Sequence, residues 1–89
     1  MEKKTTILTI TGSDSTGGSG VQADIKTITM LGAYAATAIT SVTAQDTEGI
    51  QQIYDIPAEV LDMQIRAVLN DLKPNAVKIG MLRSVEQVL

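Results

Sequence analysis

Apolar residues recur along the chain with two periods, and the switches between them mark out strands and helices. Residues 5–11, TTILTIT, are β-branched almost throughout and end at Gly12, as a buried strand would. Val21, Ile25 and Ile28 then fall at i, i+4 and i+7, which predicts a helix over 21–31 closing on Gly32 as its C-cap glycine. Residues 33–44 are small and β-branched, with a second buried strand at 37–43, followed by AQDTEG as a polar connection and a short third strand at 50–56. Pro57 suits the first position of a helix over 57–72, where Leu61, Ile65, Val68, Leu69 and Leu72 share one face before Pro74 stops it. Residues 76–79 form an apolar strand closed by Gly80, and Ser84 with Gln87 has the S-x-x-Q spacing of a capping box.

This alternation predicts an α/β fold in three layers, with right-handed crossovers joining parallel strands at 5–11, 37–43 and 76–79 in a sheet covered on both faces. No repeat, low-complexity segment or linker divides residues 1–89. The helix opening at Ser84 meets the last residue, Leu89, short of the average helix of about 11–12 residues. Either the domain is minimal and its last helix short, or the chain is the truncated N-terminal part of a longer domain; the pattern favours the second.

Composition narrows the chemistry. Hydrophobic residues make up 44% of the chain, yet Tyr34 and Tyr54 are its only aromatics, so the core is expected to be thin and built from Ile, Val, Leu, Ala and Met. The formal charge of −3 and a pI of about 4.6, with no basic cluster beyond Lys3-Lys4, argue against a nucleic-acid partner. With no Cys and no His, disulfides, the usual zinc ligand sets, thiol nucleophiles and Ser-His relays are excluded. No run approaches the ~20 apolar residues of a membrane span, and the first apolar segment is too short and too polar for a signal-peptide core. A cytoplasmic protein without a membrane partner is expected.

The loop GSDSTGGSG at 12–20 lies between a strand and a helix, where unpaired N–H groups can cradle an anion. It lacks the Lys of a nucleotide P-loop, since Val21 follows Gly20 and the next Lys is Lys26. Gly18, Gly20 and Ala23 satisfy G-x-G-x-x-[GA]. That motif begins six residues past Gly12, however, and no acidic residue stands about 20 positions on, so a dinucleotide site is disfavoured. A third reading has the glycines admit a small, flat, neutral ligand, with Asp14 or Asp24 accepting a hydrogen bond from its hydroxyl. Asp24 would equally serve as a helix-dipole charge, worth ~0.3–1 kcal/mol. Gln45 lies beyond the second predicted strand, where open parallel sheets place ligands, and its amide suits a heteroaromatic edge. Met81, at the equivalent edge, offers a thioether to a ring, although gap filling is the commoner role.

Three runs together identify a family resemblance: LTITGSDSTGGSGVQADIKT at 8–27, LGAYAATAITSVTAQDTEGIQ at 31–51 and AVKIGML at 76–82. The chain resembles the N-terminal third of bacterial hydroxymethylpyrimidine kinases over essentially its whole length. The resemblance implies a ribokinase-like three-layer α/β/α sandwich with a mostly parallel central sheet, of which residues 1–89 are the N-terminal, substrate-binding part. It implies ATP-dependent, Mg²⁺-assisted phosphorylation of a hydroxymethylpyrimidine and of its monophosphate in thiamine biosynthesis, by a homodimer when complete. It also implies that Gly12, Ser19, Asp24, Thr43, Gln45 and Met81 line the pyrimidine pocket, with Ser19 replacing a residue that is often Ala. The family's catalytic aspartate and anion hole belong to a downstream G-x-G-D motif, so this segment alone is expected to bind neither ATP nor Mg²⁺ and to be inactive. Pyridoxal and pyridoxine kinases of the same fold are the alternative, with a non-catalytic binding fragment as a further one.

Overall fold

The computed structural model describes residues 5–88. Along the chain run β1 (Thr6–Asp14), α1 (Gly20–Met30), β2 (Tyr34–Asp46), β3 (Gly49–Asp55), α2 (Ala58–Asp71), β4 (Ala76–Ile79) and the short α3 (Val85–Val88). The strands form one sheet in the order β3-β2-β1-β4. β1 pairs in parallel with both β2 and β4, whereas β3 runs antiparallel to β2.

Strand alternation assigns the two faces. Leu8 and Ile10 of β1 join Ala36, Ala38 and Leu61 in the core, with Ile65 and Val68 of α2 packed against them. Thr9 points the other way, where its Oγ1 donates to Asp24 of α1. The helices therefore cover opposite faces. Right-handed crossovers require this when the chain steps from β1 to β2 and then back across the sheet to β4.

Helix ends follow the sequence closely. α1 closes in a Schellman motif: Gly32 at φ +86° donates to the Thr29 carbonyl, and Ala33 to that of Ile28. Pro57 stands one residue earlier than expected, as the N-cap of α2. Of the expected helix faces, Val21, Ile28 and Leu61 are buried, while Ile25, Leu69 and Leu72 remain exposed. Gln87 donates its N–H to Ser84 Oγ at 3.2 Å, as the capping box predicts.

Two expectations about the sheet need correction. β1 continues through Gly12 to Asp14, so the loop proper spans only 15–19. Ala44, Gln45 and Asp46 belong to β2 and not to a polar connection. The expected parallel pairing of the strands at 5–11, 37–43 and 76–79 is observed, and β3, whose direction the pattern left open, is the antiparallel arm of a hairpin that makes the sheet mixed and mostly parallel. Polar side chains in AQD do not end the strand because it lies against β3, and Ala44 and Asp46 are left exposed.

Two irregularities prepare the site. The β1–β2 register shifts from Thr11↔Ile39 to Ser13↔Val42, so β2 carries one extra residue opposite Gly12. Such a bulge changes which face later residues occupy. Where β2 has not yet met β3, Gln64 of α2 replaces a neighbouring strand: it accepts from the Ile39 N–H at 2.9 Å and donates to the Ile39 carbonyl at 3.0 Å.

Candidate functional site

The C-terminal ends of β1 and β2, the start of α1, β3 and the segment after β4 enclose a cleft of about 390 Å³. That volume lies in the range of small-molecule sites, and open α/β sheets bind ligands beyond the carboxyl ends of their strands. Gly12, Ser19, Thr43, Gln45 and Met81 all line it, with Ile50 and Ile53 of β3 forming an apolar wall.

Asp14 organises this end of the sheet. Its Oδ1 accepts from the Thr16 N–H and hydroxyl at 2.9 and 2.8 Å, and from Gln45 Nε2. Its Oδ2 accepts from the Ser19 N–H and hydroxyl at 2.8 and 2.9 Å. Burial pushes the carboxyl's pKa up, but the bonds from Thr16, Ser19 and Gln45 outweigh it and hold it well below the usual carboxylate range. Asp14 is thus an ionised, acceptor-only group whose roughly four lone-pair sites are filled. It offers nothing to a ligand hydroxyl. The N–H groups of Thr16 and Ser19, which could have met an anion, are turned inward to the Asp14 carboxylate.

Gln45 is fixed at backbone and side chain together. Ser15 Oγ donates to the Gln45 carbonyl at 2.5 Å and accepts from its N–H at 2.8 Å, while Asp14 takes the amide nitrogen. The β2 bulge makes this possible. Beyond it Thr43 pairs in register with Asp14, which puts Gln45, two residues further on, on the Asp14 face. Thr43 Oγ1 donates to the Ser13 carbonyl at 2.5 Å, tying the two strands at the floor of the cleft.

Two glycines are required by space. At Gly12 a Cβ would lie 2.6 Å from Ser41 Oγ and 3.0 Å from the Met81 Cε. Gly20 has φ +63°, and its Cβ would lie 2.5 Å from the Gly12 carbonyl oxygen, so the start of α1 is seated on β1. Met81 is held by its own carbonyl, which accepts from Thr40 Oγ1 at 2.9 Å.

Asp24 stands apart from the other expected site residues. It does not line this cleft but faces the sheet from α1, accepting from Thr9 Oγ1 at 2.6 Å and from Lys78 Nζ at 2.8 and 2.9 Å. Burial raises its pKa, but the bonds and charge of Lys78 together with the Thr9 bond outweigh it, for a net shift downward. Lys78 does line the cleft, as does Arg83, which pairs with Asp55 at 3.0 Å. Both cations therefore carry carboxylate partners, leaving a site suited to a neutral polar ring. Among the described residues no cluster of three or more His, Cys, Asp or Glu could hold a metal ion, and no helix is long and apolar enough to cross a membrane.

Sequence reasoning did not single out Ser15, Lys78 or Arg83, and it weighed Asp14 only as a partner for a ligand. The available signal was local: Thr16 and Ser19 lie two and five residues after Asp14, spacing that lets an Asp gather the following N–H groups in an Asx-type turn.

Known proteins match this arrangement. The family model described as phosphomethylpyrimidine kinase matches residues 14–89. A hydroxymethylpyrimidine/phosphomethylpyrimidine kinase of Mycobacterium leprae is 50% identical over 78 residues, covering 88% of this chain and 28% of that protein. The phosphomethylpyrimidine kinase structure from Clostridium difficile superposes with a TM-score of 0.92 at 47% identity, over 96% of this chain and 37% of that one. The pyridoxal kinase of Staphylococcus aureus in complex with pyridoxal gives 0.87 at 33% identity, over 98% and 33%. The architecture is that of the ribokinase-like kinases, and the chain spans between 14% and 30% of the length of curated relatives it matches. With a family model matching residues 14–89 and a named member 50% identical over 78 residues, this chain belongs to the phosphomethylpyrimidine kinase family.

Proposed function

We propose that residues 1–89 are the substrate-binding, N-terminal part of a kinase that transfers the γ-phosphate of ATP to the hydroxymethyl group of 4-amino-5-hydroxymethyl-2-methylpyrimidine, and to its monophosphate, in thiamine biosynthesis. The observation that carries this reading is the cleft itself. Gly12 lets Ser41 and Met81 pack closely at the floor, Gln45 presents a fixed amide at one wall, and Met81, Ile50 and Ile53 supply apolar surface, with each lining cation paired. Ser19 and Thr43 shape the pocket through their bonds to Asp14 and Ser13, while Asp24 acts at one remove by holding Lys78 at the rim.

The described residues gather no cluster of three or more metal-ligating side chains, and the Thr16 and Ser19 N–H groups of the loop serve Asp14. The catalytic aspartate, the anion hole and the nucleotide contacts are assigned to other parts of the protein, which acts as a cytoplasmic homodimer. Phosphoryl transfer rests on positioning and charge stabilisation, and this segment's share is to position the acceptor alcohol.

The likeness to a pyridoxal-bound kinase favours one second reading, phosphorylation of pyridoxal. An ADP-release assay on the intact protein with Mg²⁺-ATP decides between them. A higher kcat/KM for the hydroxymethylpyrimidine is expected, and a preference for pyridoxal would install the second reading.

A further inference from the structure

The Gln45 amide has one end committed. Its Nε2 donates to Asp14 Oδ1, and among the described residues no hydrogen bond is made to its Oε1. Since Asp14 is ionised and can only accept, the opposite amide orientation would set an amide oxygen against a carboxylate oxygen, two acceptors with no proton between them. Asp14 cannot yield, because four further bonds from Thr16 and Ser19 hold both of its oxygens. Nor can the Gln45 backbone slide, with Ser15 bonded to its N–H and carbonyl alike. The atom left to meet a ligand is therefore an acceptor.

We propose that Asp14 is a positioning residue that locks the Gln45 amide with Oε1 free, making the cleft selective for a ring that presents a hydrogen-bond donor at that wall, such as an exocyclic amino group, over one presenting an acceptor. This rests on reading the cleft as a ring-binding site. It goes beyond that reading by assigning the sense of the hydrogen bond and the residue that sets it.

The test is calorimetric titration of the intact protein with two pyrimidines differing in one substituent, the 4-amino compound and its 4-oxo counterpart. The native protein should prefer the amino ring by roughly 5- to 100-fold, the effect of leaving a buried acceptor facing another acceptor. In Asp14→Asn the new amide can donate or accept, Gln45 can turn, and the preference should fall to within about threefold. Gln45→Met, which keeps the Thr16 and Ser19 bonds to Asp14, should also abolish it and guards against an Asp14→Asn protein that does not fold. Thr16→Val weakens the loop without touching the amide and should retain the preference while affinity for both rings falls. Preference persisting in Asp14→Asn or Gln45→Met, or lost equally in Thr16→Val, overturns the proposal. If neither ring binds the native protein at millimolar concentration, it is the ring-site reading that fails.

Discussion

At Gln45 three hydrogen bonds converge on one residue, so replacing its side chain should alter binding far more than folding. Gln45→Leu in the intact protein should weaken pyrimidine binding by about 1–3 kcal/mol, read by calorimetry, because a buried polar atom of the ring loses its partner. Unchanged affinity would remove Gln45 from the site. Asp24 makes a different prediction, about pH. Its carboxyl pKa is lowered in the folded state, so the stability it contributes is present above the unfolded value of about 3.9 and is lost as pH falls through the folded one. The urea midpoint should drop between pH 7 and pH 3, and Asp24→Asn should show a smaller drop from a lower starting point. Gly20→Ala, forced to φ +63° with its Cβ against the Gly12 carbonyl, should destabilise by at least about 1–2 kcal/mol in the same assay. Single residues were the least legible scale in the sequence. Position at the strand ends marked Gln45 and Met81, and the family resemblance supplied Gly12, Ser19 and Thr43, yet whether a carboxylate meets a ligand or a loop depends on which donors surround it. Asp14 and Asp24 were interchangeable on paper and do separate jobs in space.

Among the elements, the periodic ones were readable, as was the parallel run of β1, β2 and β4, and the direction of β3 was not. A period of two looks the same whether a strand runs up or down, so 50–56 could be recognised as a strand without being seen as the antiparallel arm of a hairpin. The bulge opposite Gly12 was equally hidden, because an extra residue in one strand is defined only by its partner's register. Yet that residue brings Thr43 and Gln45 to the Asp14 face, so the site depends on it. Helix ends were plainer, since Gly32 and Pro57 act through their own backbone preferences. The link between α2 and the bare edge of β2 supplies a test at this scale. Gln64→Leu should cost about 1–3 kcal/mol in chemical denaturation by leaving the Ile39 N–H and carbonyl without partners. Gln64→Glu should retain part of this, because it can accept but not donate. A Leu variant as stable as the native protein would show that water replaces Gln64 at no cost.

The whole molecule shows what a sheet with too few neighbours looks like. Val77 and Ile79 of β4 lie in register with Leu8 and Ile10 of the core, yet they are 51% and 60% exposed, on a strand paired along one edge only. Met30, Leu31, Tyr54 and Met63 are likewise exposed, and the buried apolar set among the described residues is seven side chains, none aromatic. The radius of gyration, 13.5 Å, exceeds the ~12 Å of a compact chain of this length. Ordering a backbone costs about 1–2 kcal/mol per residue, and a core this small sets little against it. An open strand edge with apolar side chains on its face invites pairing with another chain. The 89-residue chain expressed by itself should therefore associate or unfold partially, giving a broad or early peak in size-exclusion chromatography and a shallow thermal transition by circular dichroism. Replacing Val77 and Ile79 together with Lys should reduce association, since charge on an edge strand blocks such pairing. The same chain should release no ADP from Mg²⁺-ATP in the presence of the pyrimidine alcohol, because the catalytic aspartate, anion hole and nucleotide contacts are proposed to lie elsewhere in the intact kinase. A sharp monomer peak with cooperative unfolding would show that three helices and four strands suffice for a stable unit. Substrate-dependent ADP release would place a nucleotide site within these residues and overturn the division of labour proposed for the intact kinase.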